Sequence, residues 1–339
     1  MSAPVAPSHP PMRRDGRLRR LRKRLRRRFK HRPGLVPWLA WLPQRAFLAL
    51  LGLLPDRAVL WLGDRLGRLA LASSRRRRIG REHLAAAFPD LAPAERDRIL
   101  RDSCGHLGRS AVEVLVLSER HRDDFDERVE LEAGAAEVLA AVRGQGAVVV
   151  VGHLGAFEIC GAVLARHGLE PAFPMREPNN WYLARRLRRG REGWGVRLVD
   201  RHGAVRVLTG HLARGGAAVL ATDQHAHTKP VHVTWFGRPA ATERAAAALA
   251  LRRGSPVLVS WCLRTEEPAR WRFGCTLVRD ATAPVRRPDE AAVAELTESV
   301  HRGLEAAIRR APEQYLWIHD RYRTPPPAAG EQEADRDRA

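Results

Sequence analysis

The sequence is short of cysteine and of acidic residues. Among 339 residues it has four Cys, and 38 Asp and Glu against 59 Lys and Arg. The cysteines, at positions 104, 160, 262 and 275, have no close spacing, which excludes a disulfide scaffold and a cysteine-based zinc ribbon. A mean hydropathy of −0.35 excludes a protein with many membrane spans. Because hydrophobic residues still make up 45% of the chain, general disorder is excluded too, and a reduced, cytoplasm-facing protein of one or two domains remains.

The surplus of positive charge is concentrated near the N-terminus. Residues 13–32 contain thirteen Lys and Arg and one Asp, which contributes +12 to the formal net charge of +21. A segment this basic repels itself and favours a polyanionic partner, either a nucleic acid or an anionic membrane surface. We therefore expect residues 1–34 to form a disordered basic arm and residues 326–339 to form a disordered tail.

The segment after the arm favours a membrane over a nucleic acid. Residues 35–54 are apolar except for one Gln and Arg45, and they include two tryptophans. Twenty residues are enough to cross a bilayer, but Arg45 lies near the middle and we expect Pro37 and Pro43 to break the helix. An interfacial anchor and a single span therefore both remain open. The sequence predicts a membrane anchor at residues 35–55, bound to an anionic membrane surface.

The pattern of the remaining chain predicts an α/β architecture from its order of elements, with helices first and then strands alternating with helices. Up to about residue 120 leucines recur at helical spacing, whereas short β-branched runs begin at residue 147. The predicted strands are 147–151, 196–199, 217–222 and 256–263, and the predicted helices include 93–118, 205–213, 242–253 with Thr242 as N-cap, and 289–310. This alternation favours an α/β fold with a mostly parallel central sheet flanked by helices, assigned to residues 56–325 and preceded by the N-terminal helical membrane-anchoring region.

A histidine and a glutamate follow the first of these strands. Residues 151–158 read VGHLGAFE, and ligands bind beyond the carboxyl ends of parallel strands. A turn through Gly155 would bring Glu158 to His153, so that the imidazole acts as a general base and the carboxylate fixes its tautomer. No Ser or Cys nucleophile stands beside them, so the proton would come from the substrate, as in direct acyl transfer to an alcohol. Taken alone, the pattern also fits a structural histidine at a strand end.

Six segments resemble, in the same order, the bacterial lipid A biosynthesis acyltransferases, the lauroyl/myristoyl transferase family. The resemblance covers nearly all of residues 35–325. The segments are 81–89 (REHLAAAFP), 152–158 (GHLGAFE), 176–180 (REPNN), 191–195 (REGWG), 223–224 with 235–237 (DQ and WFG), and 311–319 (APEQYLWIH).

The resemblance implies an O-acyltransferase at the cytoplasmic face of the inner membrane. Such an enzyme moves a fatty acyl chain from an acyl carrier protein thioester to a hydroxyl of a lipid A precursor or related glycolipid. By motif matching, His153 would be the catalytic base and Glu158 its partner. No cofactor is implied, since the acyl carrier protein enters as co-substrate. The substrate-binding residues implied by the motifs are Arg176, Asn179, Arg191, Asp223 and Gln224.

Residues 225–232, HAHTKPVH, depart from the family pattern. The family has an acidic or small residue and then a Lys-Gly stretch here, whereas this chain keeps Lys229 and replaces the glycine by proline. His225 and His227 together with Asp223 and His232 could in principle hold a metal, because an H-x-H pair points both rings to one side of a strand. We favour polar lining of a headgroup pocket and predict no metal. The change bears on the identity of the acceptor more than on the reaction.

Two other functions compete with this one. A related glycolipid acyltransferase, acting on phosphatidylinositol mannosides with a coenzyme A donor, has a similar H-x4-D motif, but the PEQYLW block at 312–317 favours the lipid A family. A nucleic-acid-binding protein would use the basic arm at residues 13–32. The rest of the chain lacks interleaved aromatic residues or a recognisable nucleic-acid module, so no nucleic-acid partner is predicted.

Two independent signals for membrane binding follow from the sequence. Deleting residues 1–32 should weaken binding to anionic vesicles, because each basic residue near the surface contributes about 1 kcal/mol that salt screens. The truncated chain should still sediment with vesicles at high salt, because burial of residues 35–54 is not screened. Complete release of the truncated chain into the supernatant would contradict an anchor at residues 35–54.

Overall fold

The computed structural model describes residues 31–323, and its fold is the predicted α/β class with a mostly parallel sheet. The N-terminal part is helical. Its helices are α1 (Leu35–Leu53), α2 (Asp56–Arg68, followed by a 3-10 turn at Leu69–Ala72), α3 (Ser74–Ala87) and α4 (Pro93–Val112, which continues through a π turn at Glu113–Leu117 and an α turn at Ser118–Arg120). The predicted arm at 1–34 and tail at 326–339 fall almost wholly outside the described residues and stay predictions.

Strands and helices alternate from residue 129 to residue 221, as the sequence predicts. In chain order the elements are β1 (Val129–Leu131), α5 (Ala135–Val142), β2 (Val148–Gly155), α6 (Phe157–Arg166), β3 (Pro171–Met175), α7 (Trp181–Glu192), β4 (Arg197–Asp200), α8 (Ala204–Leu212), β5 (Ala217–Ala221), β6 (Val231–Trp235), β7 (Arg238–Thr242), α9 (Ala245–Arg253), β8 (Val257–Arg264), β9 (Trp271–Arg279) and α10 (Glu290–Arg310). By contrast, β5, β6 and β7 and then β8 and β9 follow one another without a helix between them. The four predicted strands each begin within one residue of an observed one.

The strands form a seven-stranded sheet of order β1-β9-β8-β2-β5-β3-β4, and β6 and β7 form a separate antiparallel pair. Every pairing in the large sheet is parallel except that of β8 with β9. The central strand β2 is buried on both faces. Val148 and Val150 lie in the core under α8, α9 and α10, whereas Val149 and Val151 lie in the core under α4, α5 and α6. Burial on two faces explains why this strand reads as an unbroken run of valines.

The sequence misses the strands β1, β3, β6, β7 and β9 and places one helix start wrongly. Thr242 is not the N-cap of α9, which begins at Ala245 after Arg244. Thr242 ends β7 and is fully buried, because the β6–β7 hairpin pairs it with Val231. Tertiary pairing therefore overrides a local capping signal.

The segment 35–54 forms one continuous helix, so the expectation that Pro37 and Pro43 break it is wrong. Pro37 lies in the first turn, where a backbone N–H has no intrahelical acceptor. Pro43 lies inside the helix and removes one hydrogen bond, but Trp41 and Leu51 are buried against the rest of the chain and offset this loss. Among the described residues, α1 alone is long and apolar enough to cross a membrane.

Helices α2 and α4 cross where both carry glycine. A Cβ added to Gly67 would lie 2.1 Å from the carbonyl oxygen of Cys104, and one added to Gly108 would lie 1.9 Å from that of Gly63. Two backbones therefore touch without intervening side chains. This close approach fixes α4, which carries Ser110 to the end of β2, where its hydroxyl lies 3.3 Å from the Gly155 carbonyl oxygen.

Gly108→Ala should lower the free energy of unfolding by about 1–3 kcal/mol, because the added methyl group has to push the backbone of α2 away. Gly210→Ala is the matched control, since its Cβ would meet only the Arg214 side chain at 3.6 Å. There alanine should raise the free energy of unfolding by up to about 1 kcal/mol through its helix propensity. Chemical unfolding followed by circular dichroism measures both, and equal shifts of the same sign would contradict the glycine contact.

Candidate active site

The pairing of β2 with β5 brings His153 beside Asp223. The two strands are in parallel register from Val148 with Ala218 to Val151 with Ala221, so continuing the same register by two residues reaches His153 and Asp223. Both side chains leave the carboxyl edge of the sheet on the same face, since side chains alternate along a strand. The sequence places these residues after two separate strands, and the sheet makes those strands neighbours.

His153 does not pair with β8, the neighbour of β2 on the side opposite to β5. The register of β2 with β8 shifts between Val151 and Gly155, so the residues between them leave the β8 ladder. The C-terminal segment takes the vacated place, because Leu316 donates its N–H to the His153 carbonyl oxygen at 3.2 Å. The Phe157 ring lies 4.9 Å from the imidazole, centre to centre. His153 thus lies on a bulge of β2, and its backbone carbonyl oxygen still accepts a hydrogen bond.

Asp223 bonds to both the backbone and the side chain of His153. The backbone N–H of His153 donates to Oδ2 at 2.7 Å, and Nδ1 lies 2.8 Å from Oδ1. Since a carboxylate only accepts, the proton of the neutral imidazole is on Nδ1 and Nε2 has a free lone pair. Gln224 lies on that side, with its amide nitrogen 3.3 Å from Nε2. In the neutral imidazole, Nε2 is therefore the basic nitrogen, and it points away from Asp223.

Charge keeps this pair poised for proton transfer. Burial lowers the pKa of His153, but the charge and hydrogen bond of Asp223, with a further effect of Glu158, raise it above its ordinary value of 6.5. Burial raises the pKa of Asp223, whereas His153 and then Arg321 lower it to about 2. Asp223 is therefore ionised at neutral pH, and a proton taken up by His153 is stabilised by a buried carboxylate.

Arg321 is the functional residue that the sequence analysis missed. It is buried, and its guanidinium donates to the Gln224 carbonyl oxygen at 3.0 Å and to the Thr242 hydroxyl at 2.5 Å. Burial lowers the pKa of Arg321, and the nearby Asp223 carboxylate partly offsets this. These bonds fix the backbone that carries Asp223 and Gln224. Nothing in the sequence marks Arg321 among so many arginines, since it lies just beyond the 311–319 motif.

Glu158 lies near the pair but does not bond to the imidazole. Its carboxylate accepts two hydrogen bonds from Arg191, one from Nε at 2.8 Å and one from Nη2 at 2.5 Å. The contact that fixes the tautomer of His153 is therefore made by Asp223, not by Glu158 as the sequence pattern suggests. The reason is that Glu158 lies in the first turn of α6, where Arg191 of α7 reaches it. Glu158 acts on His153 through charge alone.

Arg176 and Asn179 lie at the same edge of the sheet but outside this network. Arg176 follows β3 directly, and both side chains are exposed. The Asn179 carbonyl oxygen accepts the N–H of His31 at 3.0 Å. Of the seven site residues implied by the motifs, the structure thus joins His153, Asp223 and Gln224 in one set of bonds, joins Glu158 and Arg191 in a second, and leaves Arg176 and Asn179 exposed.

The histidines after Gln224 do not gather with Asp223. The rings of His225 and His227 lie edge to face with their centres 4.9 Å apart, whereas the Asp223 carboxylate is bonded to His153. Within residues 31–323, no group of three or more His, Cys, Asp or Glu side chains is placed to hold a metal ion.

The order of the sequence segments agrees with one family. Residues 26–324 match the family model of the bacterial lipid A biosynthesis acyltransferases. The chain belongs to this family. The lipid A biosynthesis palmitoleoyltransferase of Escherichia coli (strain K12) is 28% identical over 298 residues, which cover 85% of this chain and 92% of that protein. The lipid A biosynthesis acyltransferase of Shigella flexneri matches with the same identity and coverage. Family membership confirms the resemblance seen in the sequence and identifies the chain as an acyltransferase.

In this acyltransferase, Asp223→Asn should lower the pKa of His153. The substitution removes the negative charge that raises this pKa and keeps the burial that lowers it. Titration of the histidine resonances by NMR measures the change. Asp200→Asn is the matched control, because it removes an exposed Asp carboxylate that lies 3.2 Å from another histidine, His202. If the pKa of His153 is unchanged in Asp223→Asn, the carboxylate does not set it.

Proposed function

We propose that the protein transfers a fatty acyl chain from an acyl carrier protein thioester to a hydroxyl of a lipid A precursor. The observation that carries the proposal is the pairing of the half-buried His153 with the buried Asp223, which leaves Nε2 unprotonated and pointing away from the carboxylate. Such a nitrogen is suited to take a proton from a substrate hydroxyl. Membership of the family and the names of the two relatives support the reaction class and the acceptor.

In the proposed reaction, His153 Nε2 removes the proton of the acceptor hydroxyl as its oxygen attacks the thioester carbonyl carbon. The resulting imidazolium is stabilised by Asp223, which stays ionised. When the tetrahedral intermediate collapses, the C–S bond breaks and Nε2 returns the proton to the leaving sulfur. The long contact of 3.3 Å from the Gln224 amide to Nε2 is one that an entering hydroxyl displaces.

Glu158 and Arg191 support this reaction from outside the bonded pair. The Glu158 charge favours the protonated form of His153, so it stabilises the imidazolium that forms during transfer. Arg191 neutralises part of that charge and ties α6 to α7. We propose that Arg176 and Asn179, exposed at the same edge, contact substrate when it enters.

We further propose that the enzyme lies on the cytoplasmic face of the inner membrane through one apolar face. Helix α1 is docked on the rest of the chain, since Asn180 donates to the Pro37 carbonyl oxygen at 2.9 Å and Arg120 donates to that of Gly52 at 2.8 Å. A helix held in this way favours the interfacial arrangement over an independent span. The apolar side chains exposed on α1 and α2 include Leu35, Val36, Leu39, Phe47, Leu50, Leu53, Trp61 and Leu66.

The surface of α7 supports an acyl carrier protein as donor. These carriers are as a class small and acidic, so exposed arginines would speed their encounter. In the segment 185–191, Arg186, Arg188 and Arg191 pair with carboxylates of this chain. Arg185 and Arg189 are exposed, so they are the cations that a partner meets first.

His153→Ala should reduce acyl transfer by about 10²–10⁴-fold, because the general base is lost. His202→Ala is the matched control, since that side chain is 92% exposed in a surface turn. Turnover of a fatty acyl thioester with a purified lipid A precursor measures both variants, and unfolding curves verify that they fold. Near-normal turnover by His153→Ala would remove His153 from the mechanism. Glu158→Gln should also reduce turnover, and full activity of that variant would refute its electrostatic role.

The donor proposal predicts a steep dependence on salt. With acyl carrier protein as donor, kcat/KM should fall between low and physiological ionic strength, and Arg185→Glu with Arg189→Glu should flatten this dependence. Arg252→Glu with Arg253→Glu, exposed at the end of α9, is the charge-matched control and should not flatten it. A higher kcat/KM with acyl-coenzyme A than with the carrier protein, for matched chains at physiological salt, would overturn the donor assignment.

A further inference from the structure

Arg45 is a cation in an otherwise apolar stretch of α1. Its side chain is exposed, and within the part of the chain that the structure describes no carboxylate pairs with it. The proposed reaction does not use this charge either. The residues one helical turn away are all apolar, namely Trp41, Leu42, Leu48 and Ala49.

Arg45 lines a groove between α1 and the body of the protein. The groove has a volume of about 480 Å³, and its other walls are the turns at 113–120 that continue α4 and the helix α7. It combines three cations and one carboxylate with an apolar surface, a lining that suits an amphiphile with a negatively charged headgroup. The charged residues are Arg45, Glu119, Arg120 and Arg186, and the apolar residues are Trp41, Leu48, Ala49, Gly52 and Val116.

Two of the three cations are already compensated within the chain. Arg186 pairs with Glu119, with Nη2 3.0 Å from Oε2. Arg120 pairs with Asp56 at the start of α2. These pairs hold two guanidinium groups in place beside Arg45, whose own charge no carboxylate compensates. An anion in the groove would therefore meet one uncompensated cation and two fixed ones.

The position of α1 favours a membrane lipid as the source of that anion. Phe47, Leu50 and Leu53 of α1 are 45%, 62% and 83% exposed, and in the interfacial arrangement they enter the hydrocarbon layer. A cation on such a helix extends toward the headgroups, where phosphate is the available anion. Arginine suits phosphate because it donates two parallel hydrogen bonds to the phosphate oxygens.

We infer that the groove binds the phosphate group of an anionic membrane phospholipid, with Arg45 as its main contact. The hydrocarbon chains of this lipid lie along the exposed apolar side of α1. The inference rests on the membrane location given in the proposed function and not on the acyl transfer itself. A lipid in this groove touches both α1 and α7, so it fixes the membrane helix against the helix that carries Arg191.

Calorimetry on the full chain in a non-ionic detergent at physiological salt tests this site without turnover. The probes are phosphatidylglycerol and phosphatidylcholine, each in mixed micelles, and inorganic phosphate in the detergent alone. Arg45→Gln should weaken binding of phosphatidylglycerol about tenfold, because the phosphate loses a charge-assisted hydrogen bond. Arg45→Lys should restore part of the loss, since it keeps the charge. Phosphatidylcholine should bind more weakly than phosphatidylglycerol, because the arginines repel its choline group.

Arg57→Gln is the matched control. Arg57 is an exposed arginine of the neighbouring helix α2, and it lies outside the groove. Its substitution removes the same charge and should change the affinity for phosphatidylglycerol much less. Equal losses in Arg45→Gln and Arg57→Gln would overturn the inference, since they would show general attraction between cations and an anionic surface.

Hydrogen exchange locates the bound lipid. Phosphatidylglycerol should slow amide exchange at residues 45–52 and 116–120 of the unsubstituted protein, and it should not do so in Arg45→Gln. Inorganic phosphate binding as tightly as phosphatidylglycerol would overturn the lipid assignment. So would an Arg45→Gln variant that loses affinity for acyl carrier protein but keeps its affinity for the lipid. His153→Ala should bind the lipid normally, so a failure of the proposed acyl transfer and a failure of this site are observed separately.

Discussion

The structure depends above all on the parallel pairing of β2 with β5. Four consecutive residue pairs fix its register, from Val148 with Ala218 to Val151 with Ala221. A shift by one residue would turn His153 and Asp223 to opposite faces, because side chains alternate along a strand. The packing of valines on both faces of β2 resists that shift. The catalytic-type pair is thus a consequence of core packing two residues before it.

Three separate parts of the chain converge on this pair, and each uses backbone atoms. The C-terminal segment pairs with the bulge at His153 through Leu316. Arg321 binds the carbonyl oxygen of Gln224 from inside the protein. Nε2 of His301, in α10, lies 3.3 Å from the Thr222 carbonyl oxygen. Burial lowers the pKa of His301 to about 4, so this side chain is neutral. Asp223 is consequently held from both sides, so it can serve His153 without moving.

The arginines have different roles, which depend on how deeply each is buried and on whether a carboxylate pairs with it. Arg321 is buried and positions the backbone of Gln224, Arg191 is paired with Glu158, and Arg185 is exposed. Arg76 lines both a pocket that it shares with Arg75 and Arg323 and an apolar cavity between α1, α2 and α4. The net charge of the chain alone predicts none of these roles, because arginines of identical chemistry differ only in what the fold places around them.

The sequence by itself determines the α/β class, the positions of the strands β2, β4, β5 and β8, and the identity of His153 as the residue to examine. It does so because buried parallel strands require β-branched runs and because the family motifs occur in order. Only the tertiary structure decides the partner of His153. The spacing of five positions from His153 to Glu158 suggests a local contact, whereas Asp223 is seventy positions away and becomes adjacent through strand order. Sequence patterns record local periodicity, but which strands become neighbours is settled by the packing of the whole sheet.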